Sequence, residues 1–142
     1  MKNSEEVLSS ILKTTQMGQI GIRSLLRQPL NDSLREALIS QKKEYDTIES
    51  EARTIARRHG YHPKELNPAI RKMTDSMTGM RLMYGDIDSK SAAMMIQGNT
   101  RGMIKGLKNL HKYNKDNNTL VNLAQKLLDR EEENIKQMQG FV

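Results

Sequence analysis

The segment RRHGYHPKELNPAI, residues 57–70, decides how this chain folds. Arg57, Arg58 and His59 suit the negative end of a helix, Gly60 supplies a C-terminal cap, and Pro63 bars continuation. Asn67-Pro68 then reads as a helix N-cap with proline at the first helical position. One helix must end near residue 59, and a separate short one must begin near residue 68. The next long helix opens only at Asp86 or Asp88. Residues 61–87 therefore form a connection in their own right rather than a tight turn.

Upstream of that segment, helix one is expected over about residues 4–28, capped by Asn3 or Ser4. Val7/Leu8, Ile11, Thr15, Gly18/Gln19, Ile22 and Leu25/Leu26 share one face, and Pro29 stops it. Asp32 or Ser33 opens helix two, with Ser33 to Glu36 reading as a capping box. Its inner stripe is Leu34, Ala37/Leu38, Gln41, Tyr45, Ile48, Ala52 and Ile55. Downstream, the short helix carries Ile70, Met73, Met77, Met80 and Tyr84 at steps of three and four, and Gly85 ends it. The third long helix runs to about Tyr113 with Ala92, Met95/Ile96, Asn99, Gly102/Met103, Gly106 and Leu110 inward. Residues 114–118, NKDNN, make a polar turn. The last helix covers about residues 119–139, with Leu120/Val121, Ala124, Leu127/Leu128, Glu131, Asn134/Ile135 and Met138 inward. No stretch alternates as a strand would.

Four helices of roughly 22 to 28 residues would each be about 33–42 Å long. Helices one and two, joined by a short turn, are expected to be antiparallel neighbours, as are the last two. A connection of the length of residues 61–87 can travel along the bundle and return the chain to its starting end. The expected fold is all-α: an up-down four-helix bundle forming a single domain over residues 1–142. Hairpins at residues 4–60 and 88–140 are joined by a crossover at 61–87. Offsetting the chain by 81 residues aligns Gln16 with Gln97, Gly21 with Gly102 and Leu26 with Leu107, a hint that the hairpins are related.

Composition narrows the chemistry. The 142 residues include no cysteine, which removes disulfides, thiolate nucleophiles and zinc–thiolate sites. The N-terminus mixes acids with its apolar residues, unlike a signal peptide, and no apolar run approaches the roughly 20 residues of a membrane span. A soluble cytoplasmic protein with no membrane partner is expected. The net charge of +6, from 23 basic and 17 acidic residues, brings anionic partners into consideration. Ten methionines, one phenylalanine and no tryptophan indicate a core of Leu, Ile and Met.

Polar residues stand at mid-helix positions where apolar ones are due: Gln16 and Gln19, Glu44 and Tyr45, Asn99, and Glu131. Bundles build cofactor and metal sites this way. The same pattern also serves as a buried hydrogen-bond network that fixes helix register. Gln19, Glu44, Tyr45, Asn99 and Glu131 are the candidate ligand-binding residues.

Two long helical hairpins, a crossover and a mid-bundle polar layer resemble the ferritin-like superfamily over nearly the whole chain, most closely its small bacterial members of unassigned function. The di-iron members of that superfamily place a Glu on the first helix and Glu-x-x-His on the second, then repeat the set on the third and fourth. At those levels this chain has Gln16 or Gln19, then Glu44-Tyr45-Asp46-Thr47, then Asn99, then Glu131-Glu132-Glu133-Asn134. No Glu-x-x-His occurs. The resemblance thus implies the architecture, with the di-iron ligands largely replaced. Neutral amides cannot offset the charge of two iron ions, so no di-iron site is expected. Glu44 and Glu131 could share a single hard cation only as an alternative.

Other features have two readings each. Gly98, Gly102 and Gly106 repeat every four residues. Each would cost up to about 1 kcal/mol relative to alanine in an exposed helix, so they point to close approach by the crossover helix or a second subunit. Met73, Met77, Met80 and Met83 suit a crossover helix covering the bundle or a partner, more than a copper site. Arg101, Lys105, Lys108 and Lys112 form a basic stripe that is expected to pair with Glu131, Glu132, Glu133 and the acids of helix two. Without interleaved aromatics it is a poor nucleic-acid surface. His59, His62 and His111 fall at helix ends or loops. The sequence reading is a non-enzymatic structural or interaction protein with no catalytic residues, no metal and no cofactor. It would self-associate, as a dimer, through Gly98, Gly102, Gly106, Met73, Met77 and Met80. The alternatives are a metal- or small-ligand-binding bundle and, behind it, a weak nucleic-acid binder.

Overall fold

A computed structural model describes residues 1–70, 72 and 85–142. Among these residues there are four long helices: α1 (Ser4–Leu26), α2 (Asp32–His59), α3 (Ile87–Lys112) and α4 (Asn118–Gln139). Each is started by a side-chain cap that satisfies an amide the helix leaves open. Asn3 Oδ1 accepts from the Glu6 amide at 2.9 Å, Asn31 from Leu34 at 2.8 Å, Asp86 from Ser89 at 3.1 Å and Asn117 from Leu120 at 3.1 Å. Helix two is thus capped by Asn31, one position ahead of the expected Asp32 or Ser33. Gly60 caps its far end in the left-handed region at φ +67°, as its sequence requires. Helix one stops at Leu26, two residues short of expectation. The Arg35 guanidinium donates to the freed carbonyls of Leu26 and Gln28 at 2.9 and 2.7 Å.

Contacts between helix ends set the directions. The start of α1 meets the end of α3: the Lys2 amide donates to the Lys112 carbonyl at 2.7 Å, and Ser4 Oγ lies 2.7 Å from Tyr113 Oη. At the other end, the Asn31 amide and side chain donate to Asp88 at 3.1 and 2.8 Å, joining the starts of α2 and α3. Lys126 with Glu51 and Asn117 with His59 align α4 antiparallel to α2. So α2 and α3 run one way, and α1 and α4 run the other.

Apolar stripes converge on one core. Val7, Leu8, Ile11, Ile22 and Leu25 of α1 meet Leu34, Leu38 and Ile48 of α2 and Leu120, Leu127 and Met138 of α4. Each such side chain contributes about 1.5–3 kcal/mol on burial. Helix α3 is different. Its buried positions are Ser91, Ala92, Met95, Asn99, Gly102, Gly106 and Asn109, so it offers little bulk. It packs closely against α4 and only thinly against α1. The first leg of the connection, residues 61–67, lies on α1 and α2 without helix, and a helical turn opens at Pro68. The methionines expected to pattern the crossover, Met73, Met77, Met80 and Met83, lie outside the described residues. No described helix is long and apolar enough to cross a membrane.

Candidate functional site: a glycine-walled cleft over a buried carboxyl

The thin seam between α1 and α3 opens into a cleft of about 360 Å³. One wall is Thr14, Met17, Gly18, Gly21 and Leu25 of α1. The other is Met94, Gly98, Arg101, Gly102 and Lys105 of α3. Both sets recur at steps of three and four, so each lies along one helical face. Tyr45 reaches in from α2 and Glu131 from α4, and with Asn99 they make the buried polar part of the lining.

Tyr45, Asn99 and Glu131 form one hydrogen-bonded group, and all three are at most 2% exposed. The Tyr45 hydroxyl stands 3.0 Å from Asn99 Oδ1 and 2.8 Å from Glu131 Oε1. A phenol carries a single proton, so it cannot satisfy both acceptors at once. A proton on Glu131 resolves the conflict, because the carboxyl then donates to Tyr45 while Tyr45 donates to Asn99. Electrostatics point the same way. Burial pushes the Glu131 carboxyl from 4.5 up to about 8, against a smaller downward pull from the Tyr45 hydrogen bond. Burial, then the adjacent Glu131, hold the Tyr45 hydroxyl well above its ordinary value. At neutral pH both groups are uncharged. Two atoms of this group, Asn99 Nδ2 and Glu131 Oε2, are buried without a hydrogen-bond partner among the described residues.

Glycine makes room for this arrangement. A Cβ at Gly18 would sit 2.5–2.9 Å from the Tyr45 ring, and one at Gly102 would sit 2.9–3.0 Å from the Glu131 carboxyl. Each hairpin thus uses a glycine on its first helix to admit a large polar side chain from its second. Gly21 and Gly98 behave differently: a Cβ there meets nothing within 4 Å among the described residues.

Of the five candidate ligand-binding residues, Tyr45, Asn99 and Glu131 come together. Gln19 and Glu44 do not join them. Gln19 Nε2 donates to Asp46 at 2.9 Å, on the α1–α2 side. Glu44 is half-buried and faces Arg130 at 3.4 Å across α2 and α4, because adjacent helical residues point about 100° apart. Glu44 and Glu131 therefore do not share a cation. Gln16 serves the connection: its Nε2 donates to Glu65 at 2.9 Å and its Oε1 accepts from the Leu66 amide at 2.8 Å. Among the described residues no cluster of three or more His, Asp or Glu could hold a metal ion.

The glycine repeat also finds a different partner from the expected crossover or second subunit. Gly102 meets Glu131 and Gly106 meets Leu128, at 3.5 Å from an added Cβ, both within the same bundle. Gly98 alone is exposed, at the cleft. The basic stripe departs from expectation as well. Arg101, Lys105, Lys108 and Lys112 are exposed, and none makes an ion pair among the described residues. Glu133 pairs instead with Arg130 at 2.9 Å, on α4 itself. The cleft was not foreseen, although Gly18 and Gly21, three apart on α1, carried a signal for it. No protein-family model, curated protein or solved structure matches this chain.

Proposed function

We propose that the protein is a non-enzymatic, ferritin-like helical bundle that binds a small organic molecule in the α1–α3 cleft. The ferritin-like reading is supported by two antiparallel hairpins whose inner helices, α2 and α3, run the same way and are joined by a long connection. Ligand binding is supported chiefly by the buried, unpartnered Asn99 Nδ2 and Glu131 Oε2 in the lining of a mostly apolar cleft. Unpaired buried polar atoms each cost about 1–3 kcal/mol, and a bound molecule that supplies partners would recover that cost. Sites of this kind, mostly apolar with a few convergent polar groups, are where small molecules bind.

The reading is tested by NMR titration of the full chain with fragment-sized organic acids, alcohols and amines, and with manganese, iron(II) and zinc. Shifts confined to Gly18, Gly21, Gly98 and their neighbours, and abolished by Gly98→Leu, are the expected result. Metal binding at Glu131 without organic binding would refute it. A structural or interaction role is favoured by one further observation. Ile104 and Leu107 on the outer face of α3 are 46% and 38% exposed beside the basic stripe. Light scattering tests it: a concentration-independent monomer would remove self-association.

A further inference from the structure

Gly21 and Gly98 interrupt long helices, where glycine is less favourable than alanine by about 1 kcal/mol each. The bulk of Tyr45 and Glu131 accounts for Gly18 and Gly102. Nothing among the described residues accounts for Gly21 and Gly98, whose missing side chains would project into empty cleft. The space they leave is flanked by Met17 and Met94, adaptable apolar surfaces. Apart from the neutral Thr14, Tyr45 and Gln97, its polar groups are of two kinds. Inside are the Asn99 amide N–H and the Glu131 carboxyl, both unpartnered at one atom. On the α3 wall are Arg101 and Lys105, exposed and without an ion pair among the described residues. Among the described residues the charge balance of the lining follows from these groups alone. Thr14, Met17, Gly18 and Gly21 of α1 and Tyr45 of α2 bring no charge, and the α4 contribution is Glu131, which holds its proton at neutral pH. Among the described residues the cleft therefore offers one free hydrogen-bond donor, the Asn99 amide, at its buried end and positive charge at its rim.

We infer that the ligand is a small organic anion with an apolar body, its charge set against Arg101 and Lys105 and a hydrogen-bond acceptor at its other end directed to the Asn99 amide. This deepens the proposed binding function and rests on it. A cationic ligand would meet the two rim cations with no ionised carboxylate among the described lining residues to offset them, and a purely apolar one would leave the Asn99 amide unpaired.

Three matched probes test the inference on the full chain by NMR titration at neutral pH: 4-acetylbenzoate, 4-ethylbenzoate and 4-acetylbenzylamine. The first carries both the charge and the acceptor, the second lacks the acceptor, and the third reverses the charge. Binding in that order is expected, with 4-acetylbenzoate at least about fivefold tighter than either of the others. The exposed double variant Arg101→Gln/Lys105→Gln should weaken both benzoates roughly fivefold to tenfold and leave the benzylamine no weaker than before. Gly98→Leu should abolish all binding. Equal binding of benzoate and benzylamine, both blocked by Gly98→Leu, would overturn the anion inference while leaving the cleft as a binding site. If 4-ethylbenzoate matched 4-acetylbenzoate, the assigned inner acceptor would fall. Absence of binding by all three, or binding indifferent to Gly98→Leu, would overturn both readings.

Discussion

Replacing Glu131 by glutamine should make the protein more stable at alkaline pH and flatten its stability profile. The carboxyl rises from 4.5 to about 8 on folding because burial disfavours its charged form. Below about pH 4.5 the folded and unfolded chains both hold the proton, and Glu131 contributes no pH dependence. Between about 4.5 and 8 the unfolded chain has released it and the folded chain has not, so stability falls as pH rises. Above 8 the loss is complete. At about 1.4 kcal/mol for each pH unit, the interval corresponds to a loss of up to about 5 kcal/mol. Glutamine keeps the shape, donates an amide N–H to Tyr45 in place of the carboxyl proton and has no proton to lose. Urea unfolding of both proteins from about pH 5 to about pH 9 provides the measurement. Other titrating groups are common to both, so the difference between the two curves belongs to Glu131. The variants should agree to within about 1–2 kcal/mol at the acid end and diverge by about 3–5 kcal/mol at the alkaline end, with glutamine the more stable. Parallel curves would refute the assignment of a buried, protonated carboxyl.

The four cleft glycines should separate by sign in alanine variants. Gly21→Ala and Gly98→Ala should each gain about 0.5–1 kcal/mol from helix propensity, whereas Gly18→Ala and Gly102→Ala should each lose about 1–3 kcal/mol by displacing Tyr45 or Glu131; denaturant midpoints at constant m-value decide it. Tyr45→Phe removes the hydroxyl that Asn99 and Glu131 share and should cost about 1–3 kcal/mol, read from the same unfolding curves. Asn31→Ala loses both the cap of α2 and the side-chain half of the link to Asp88, an expected cost of about 1–2 kcal/mol, visible as a lower midpoint in thermal unfolding.

The bundle was legible in the sequence because its signals are local. Asn3 and Asp86 cap, Gly60 and Pro63 stop, and the apolar stripes repeat at helical spacing. The site was only half legible, and the reason lies in how many neighbours each helix has. Helix α1 is covered on three sides, by α2, α3 and the leg through Glu65 and Leu66. Burial therefore extends to Thr14, Gln16, Gln19 and Ser24, and a single inward stripe cannot tell which neighbour a glutamine faces. Gln16 and Gln19 turn to Glu65 and Asp46, away from Tyr45. On α2 a polar pair, Glu44 and Tyr45, spans the boundary between rim and core, and spacing alone does not choose between them. The glycines of α3 announce close approach, but local pattern does not say whether backbone, side chain or open cleft lies opposite. The pairing of the basic stripe failed for a related reason: α3 turns those residues outward, while Glu133 finds Arg130 a single turn away on its own helix.

The glycine seats impose an order on how this sequence can change over time. A larger residue at position 18 is tolerable only once position 45 has shrunk, and the same holds for 102 with 131, so each pair must vary together or not at all. Positions 21 and 98 are under no such constraint from the described fold, and helix propensity pushes both toward alanine. Among descendants of this chain, coupled drift at 18/45 and 102/131 would record the demands of folding. Glycine persisting at 21 and 98 would record a demand made by whatever the cleft holds.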